Sequence, residues 1–89
     1  KFYWMMIDKE ILKKQIIYRS THRGTKEMDI LLGNFVKKYV DRFNNNDLLD
    51  LEQLLFLDDE ILYRWYYDKE RSEIISNNKV SKMLKNLKL

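Results

Sequence analysis

Eighty-nine residues, 45% of them apolar and 35% charged, make one small globular domain rather than a disordered chain. A chain of this size buries only about 60–65% of the surface its unfolded form exposes, which argues for a module that presents a surface rather than one that encloses a cofactor. The absence of Cys excludes disulfides and thiolate chemistry, and with His22 alone a His-based metal site would need carboxylates for its other ligands.

Net charge is only +3, but its distribution is uneven. Residues 9–26 carry Lys9, Lys13, Lys14, Arg19, Arg23 and Lys26 against Glu10 alone. Residues 44–63 carry Asp47, Asp50, Glu52, Asp58, Asp59 and Glu60 and no base. Residues 79–88 carry four Lys and no acid. Such segregation suits a partner with the complementary pattern, protein or nucleic acid.

The opening run Phe2–Ile7 meets Asp8 at once and is too short for a secretory signal. Lys1 stands where an initiator Met is expected, so Met5 or Met6 is a candidate start and residues 1–6 a candidate non-native or disordered extension. Asp8 is placed to cap a first helix carrying Ile11, Leu12, Ile16 and Tyr18 on its inner side. Met28, Leu31, Leu32, Phe35, Val36, Tyr39, Val40 and Phe43 recur at helical spacing and predict a long second helix. Asn44-Asn45-Asn46-Asp47 is a polar break whose last members are placed to cap a third helix with Leu48, Leu51, Leu54 and Leu55 inward. Asp58-Asp59-Glu60 sets three acids at the positive end of a fourth helix with Ile61, Leu62, Trp65 and Tyr66 inward. Residues 68–78 read as a loop, and a fifth helix carries Val80, Met83, Leu84 and Leu87. The fold class expected is all-α, a single bundle of about five short helices with no linker. No stretch approaches the ~20 apolar residues of a membrane span.

Little in the chain supports catalysis. His22 lies between cations, which repel a divalent metal. Ser20 and Thr21 adjoin His22 in sequence, where a nucleophile and its base rarely face one another. Neither Gly24 nor Gly33 belongs to a phosphate-binding loop. Glu27 and Asp29, two apart on a helix, point away from each other. Lys79, Lys82, Lys85 and Lys88 form a stripe that reads as the solvated side of a packed helix, although a stripe of this kind also suits phosphates.

The junction between the first two helices differs. Gly24 there supplies a positive φ at a helix end, while Glu27 and Asp29 favour the next first turn. That leaves the crowd of long charged side chains unexplained. A Gly amid Arg19, Arg23, Lys26 and Glu27 is a place where a partner's backbone comes close while charges fix its orientation. The string Tyr18, Arg19, Ser20, Arg23, Gly24, Glu27, Asp29, Gly33 and Phe35 resembles the R-G-x-x-E signature of the succinate dehydrogenase assembly factors that promote flavinylation (the SdhE/YgfY-like family). The likeness continues through Asp59, Leu62, Tyr63 and Trp65 and covers roughly residues 10–67. It departs at Asp58-Asp59 and Tyr66-Tyr67, where relatives often have Pro, and Gly or Pro.

The resemblance implies a non-catalytic assembly chaperone, a small helical bundle that binds the flavoprotein subunit of succinate dehydrogenase, and in some relatives that of fumarate reductase. It implies that FAD becomes covalently attached to that partner, with no cofactor or metal held by this chain. The implied binding residues are Arg23, Gly24 and Glu27, with His22, Lys26, Asp29 and Arg19 beside them. The further expectations are a monomer that binds no nucleic acid and enters no membrane. Its expected compartment is the bacterial cytoplasm rather than the mitochondrial matrix. A different class stays open at this stage: a small basic helical nucleic-acid-binding module using the lysine stripe and residues 9–26, marked by steep salt dependence.

Overall fold

The computed structural model describes residues 8–88, and the expected extension at residues 1–6 lies outside them. Five α-helices follow in order: α1 (Lys9–Thr21), α2 (Lys26–Tyr39), α3 (Asn45–Leu55), α4 (Asp59–Tyr66) and α5 (Lys79–Lys85), with a 3-10 turn at Val40–Arg42. No strand occurs among the described residues, so the fold is all-α.

Side-chain caps start α1, α2, α3 and α5. The Asp8 carboxylate accepts from the Glu10 amide at 2.9 Å and opens α1. Asn44, the first member of the polar break rather than its last, caps α3. Its side chain accepts from the Asp47 amide at 2.8 Å while Asp47 accepts from the Asn44 amide at 3.3 Å. This reciprocal box satisfies two otherwise orphaned donors and sets the helix start one turn ahead of Leu48. Asn78 and Ser81 repeat the device at α5.

The core is built on α2. Met28, Leu31, Leu32, Phe35, Val36, Val40 and Phe43 are buried and Tyr39 half-buried, as the helical spacing predicts. Phe35 lies 5.1 Å from Tyr39 and 6.2 Å from Phe43, ring centre to ring centre. Around α2 the fold closes in two directions: α1 packs on α2 and α3, and α4 and α5 reach α2 and α3 respectively. Leu48, Leu51, Leu62, Val80 and Leu84 are fully enclosed there. Each such side chain contributes about 1.5–3 kcal/mol by leaving water.

In α1 the buried stripe is narrower than expected. Leu12, Ile16 and Ser20 face inward, whereas Ile11 and Tyr18 are exposed. Ser20 can be buried because its hydroxyl donates to the Ile17 carbonyl at 2.8 Å. Opposite it stands Gly33, where an added Cβ would come 3.7 Å from Thr21 Cγ2 and 4.0 Å from the Ser20 carbonyl. Ser20 and Gly33 thus lie where α1 and α2 meet, with room left for a methyl group at Gly33.

The lysine stripe is partly absorbed by the fold. Lys79 reaches Asp47 at 3.1 Å, and Lys85 donates to the Trp65 carbonyl at 2.9 Å with its ammonium over the Trp65 ring. Lys82 and Lys88 are exposed. Residues 67–78 contain no regular element, and the chain leaves α4 through Lys69 at φ 60°, in the left-handed region.

Candidate functional site

The α1–α2 junction is assembled from the end of α1 outward. Thr21 donates its hydroxyl proton toward the Ile17 carbonyl at 3.0 Å. The His22 ring stacks on Tyr18 with centroids 3.8 Å apart, and its Nδ1 donates to the Tyr18 carbonyl at 2.8 Å. His22 is thus the C-cap of α1 and supplies the last carbonyls with a donor. Thr25 opens α2 by accepting the Met28 amide at 3.4 Å, and the Asp29 carboxylate accepts the Arg23 amide at 2.6 Å.

Arg23 turns inward. Its Nε donates to Asp59 Oδ1 at 2.8 Å, Nη1 to the Leu55 carbonyl at 2.6 Å and Nη2 to the Leu57 carbonyl at 2.8 Å. Nη2 also lies 2.7 Å from Asp59 Oδ1, and the Arg23 side chain is only 8% exposed. The second Asp59 oxygen accepts the amides of Gly24 at 2.8 Å and Thr25 at 3.0 Å. One ion pair therefore closes three chain ends together. Arg23 satisfies carbonyls where α3 finishes, Asp59 begins α4 with the charge its dipole favours, and the loop between α1 and α2 is fastened to both.

The expected positive φ at Gly24 is absent; among the described residues no glycine has one. The turn is made instead by His22 and by the two amides given to Asp59. A Cβ at Gly24 would meet Asp59 Oδ2 at 3.4 Å, an ordinary contact, so the fold itself accepts a methyl group here. What the missing side chain leaves open is the outer surface of the loop, where Gly24 is exposed.

Lys26 and Glu27, on the first turn of α2, are also exposed. Among the described residues Glu27 makes no ion pair or side-chain hydrogen bond. Arg19 lies 4.3 Å over the ring of Phe56, which is 61% exposed. Tyr63 on α4 and Tyr67 just past its end stand 4.7 Å apart and are partly exposed. Burial, with Tyr66, Tyr63 and the Glu27 charge adding to it, raises the Tyr67 hydroxyl above its ordinary value.

The sequence-predicted residues thus divide. Arg23, Gly24 and Asp29 converge on the anchored loop, Lys26 and Glu27 flank it on the outside, and Arg19 on α1 and His22 at its C-cap lie against exposed aromatics. Sequence reasoning missed Asp59 as the partner of Arg23, Gly24 and Thr25, Phe56 as the ring under Arg19, and the Tyr63–Tyr67 pair. For Asp59 and Tyr63 the only signal was the second stretch of the family likeness; local spacing gives none. A cleft of about 530 Å³ between Ile17, Ile30 and Gly33 reaches the junction at Thr21 and Asp29, and another of about 490 Å³ lies away from it between Trp65, Arg71 and Lys82. Among the described residues no cluster of three or more His, Asp or Glu could hold a metal ion, and no helix is long and apolar enough to cross a membrane.

A family profile described as "Flavinator of succinate dehydrogenase" (Sdh5) matches residues 14–88. The chain is 34% identical over 79 residues to "Succinate dehydrogenase assembly factor 2, mitochondrial" of Arabidopsis thaliana, covering 82% of this chain and 42% of that protein. It is 35% identical over 57 residues to "FAD assembly factor SdhE" of Acetobacter pasteurianus, covering 64% of this chain and 52% of that protein. The protein of the same name from Wigglesworthia glossinidia brevipalpis is 32% identical over 79 residues, 89% of this chain and 90% of that one. Against the Arabidopsis and Acetobacter relatives the chain spans about half of their length. No solved structure matches.

Proposed function

Because the chain belongs to the family described as flavinators of succinate dehydrogenase, we propose that it is an assembly chaperone for the flavoprotein subunit of that enzyme. In this reading it binds the subunit, with that of fumarate reductase as a second client, and promotes attachment of FAD there while holding no cofactor itself. It acts as a monomer in the bacterial cytoplasm and contributes no catalytic group. The binding face is the loop and first turn of α2: Gly24 and Glu27 with Arg23 behind them, and His22, Lys26, Asp29 and Arg19 around them.

The observation that carries this reading is the state of Glu27. A carboxylate stands exposed and unpaired among the described residues, beside a loop whose Arg23, Gly24 and Thr25 are all fastened to Asp59. A held loop beside an unsatisfied charge loses little order on binding, so contact energy goes into affinity. The mechanism we assign is population shift. The chaperone binds best the flavoprotein conformation in which flavin and acceptor side chain are aligned, and so raises the share of molecules in which attachment proceeds.

Co-expression with the flavoprotein subunit tests this. Capture of the subunit on the tagged chain, and more in-gel covalent flavin fluorescence with the chain than without, is the expected result. No capture and unchanged fluorescence would refute it. Binding to duplex DNA or RNA that falls steeply with salt would instead revive the nucleic-acid reading, which the comparisons do not support.

A further inference from the structure

We propose that Asp59, 36 residues beyond Arg23 in the chain, is the positioning residue of the binding face, and that Arg23 acts through Asp59 rather than by touching the partner. The proposal rests on the functional reading above and names how that face is set. Arg23 has its Nε, Nη1 and Nη2 already engaged by Asp59, Leu55 and Leu57, at distances of 2.6–2.8 Å, with 8% of its side chain exposed. A guanidinium so placed has few hydrogens left to give a partner without leaving its site. The same carboxylate takes the Gly24 and Thr25 amides, which orients the loop backbone directly. Thr25 in turn caps α2, so the direction in which Glu27 leaves the first turn depends on the same anchor. Motif letters that look like a contact list are, in this geometry, one contact pair (Gly24 and Glu27) and one fastening (Arg23 to Asp59).

The test uses the full chain and the flavoprotein subunit, with Asp59→Asn, Arg23→Ala and the double variant. Asn keeps one acceptor but turns an N–H₂ toward the loop amides. Capture affinity is measured at a temperature where circular dichroism shows every variant folded, so that lower global stability alone leaves it unmoved. Amide exchange is followed on the free chain. For Asp59→Asn we expect exchange at Gly24 and Thr25 to accelerate while Leu31 and Leu51 stay protected, and capture to weaken at least tenfold. The double variant should bind within about threefold of the weaker single, since both changes open one fastening. Unchanged capture by Asp59→Asn despite accelerated loop exchange would overturn the proposal. So would losses that multiply in the double variant, because Arg23 would then have its own contact with the partner. Should Asn or Ala not support the fold, Asp59→Glu and Arg23→Lys replace them under the same criteria. Wild-type chain that captures nothing refutes the functional reading and this proposal with it, a failure the wild-type control separates from failure of the fastening alone.

Discussion

Arg23→Ala gives the sharpest test of the junction's energetics. The change removes a guanidinium whose partner carboxylate is only 14% exposed and leaves the Leu55 and Leu57 carbonyls without their donor. Breaking a buried pair by deleting one member costs about 3–5 kcal/mol, against roughly 0–1 kcal/mol for a pair in open water. Asp59 retains the Gly24 and Thr25 amides, and water reaches the rim of the site, so we place the loss at the lower end, about 3 kcal/mol. A chain of 89 residues has roughly 4–13 kcal/mol to lose, so the variant should stay folded near room temperature. Its melting temperature should fall by about 12–24 °C, at 4–8 °C per kcal/mol for a domain of this size. Urea denaturation followed by helical circular dichroism is the assay, with wild-type and variant slopes compared to confirm that both unfold as one unit. A loss below about 1 kcal/mol would show the pair to be a surface decoration and refute the energetic reasoning.

Glu27→Ala should do the reverse, moving stability by only about 0.3–1 kcal/mol through the helix dipole while strongly weakening capture of the flavoprotein; a large melting shift with unchanged capture would strike Glu27 from the face. Gly24→Arg should keep its helical spectrum, since a Cβ fits at 3.4 Å from Asp59, and lose all stimulation of flavin attachment; inactivity through unfolding would reduce Gly24 to a structural residue. Gly33→Ala adds a methyl group at ordinary contact distances of 3.7 and 4.0 Å, so it should stabilise the chain by roughly 0.5–1 kcal/mol through helix propensity, read by melting; a loss would mean that α1 and α2 cannot accommodate it. Tyr67 keeps its proton above the ordinary value of 10.0 when folded, so the stability it contributes is complete below about pH 10 and declines as pH rises further. Tyr67→Phe should flatten that decline in denaturation series between about pH 9 and 11, and an unaltered slope would assign it elsewhere.

Much of this architecture is legible in local pattern. The spacing from Met28 to Phe43 names the inward residues of α2 because one helix face repeats every 3.6 residues regardless of its neighbours. Pattern fails where a contact is distant or small. Tyr18 looks like a core residue by type, but the inner stripe of α1 ends on Ser20, whose hydroxyl is satisfied by the Ile17 carbonyl. Gly24 suggests a left-handed helix end by statistics, while the loop takes its shape from a carboxylate 35 residues away. Asp59 in turn reads as a helix-dipole acid among three neighbouring acids, and nothing in that run separates it from Asp58 or Glu60. Its role exists only once α3 and α4 have turned to bring it under the loop.

That distance along the chain has a consequence in time. The motif letters at residues 23–27 leave the ribosome well before Asp59, and at about 5–20 residues per second the gap of 36 residues lasts roughly 2–7 s. During that interval the nascent chain carries the R-G-x-x-E sequence without the shape that presents it, because the carboxylate that gathers the loop has not been made. A truncated or stalled copy is in the same condition permanently. The binding face we propose therefore takes shape only after the start of α4 has been made, and on that reading an unfinished chain competes poorly for the partner.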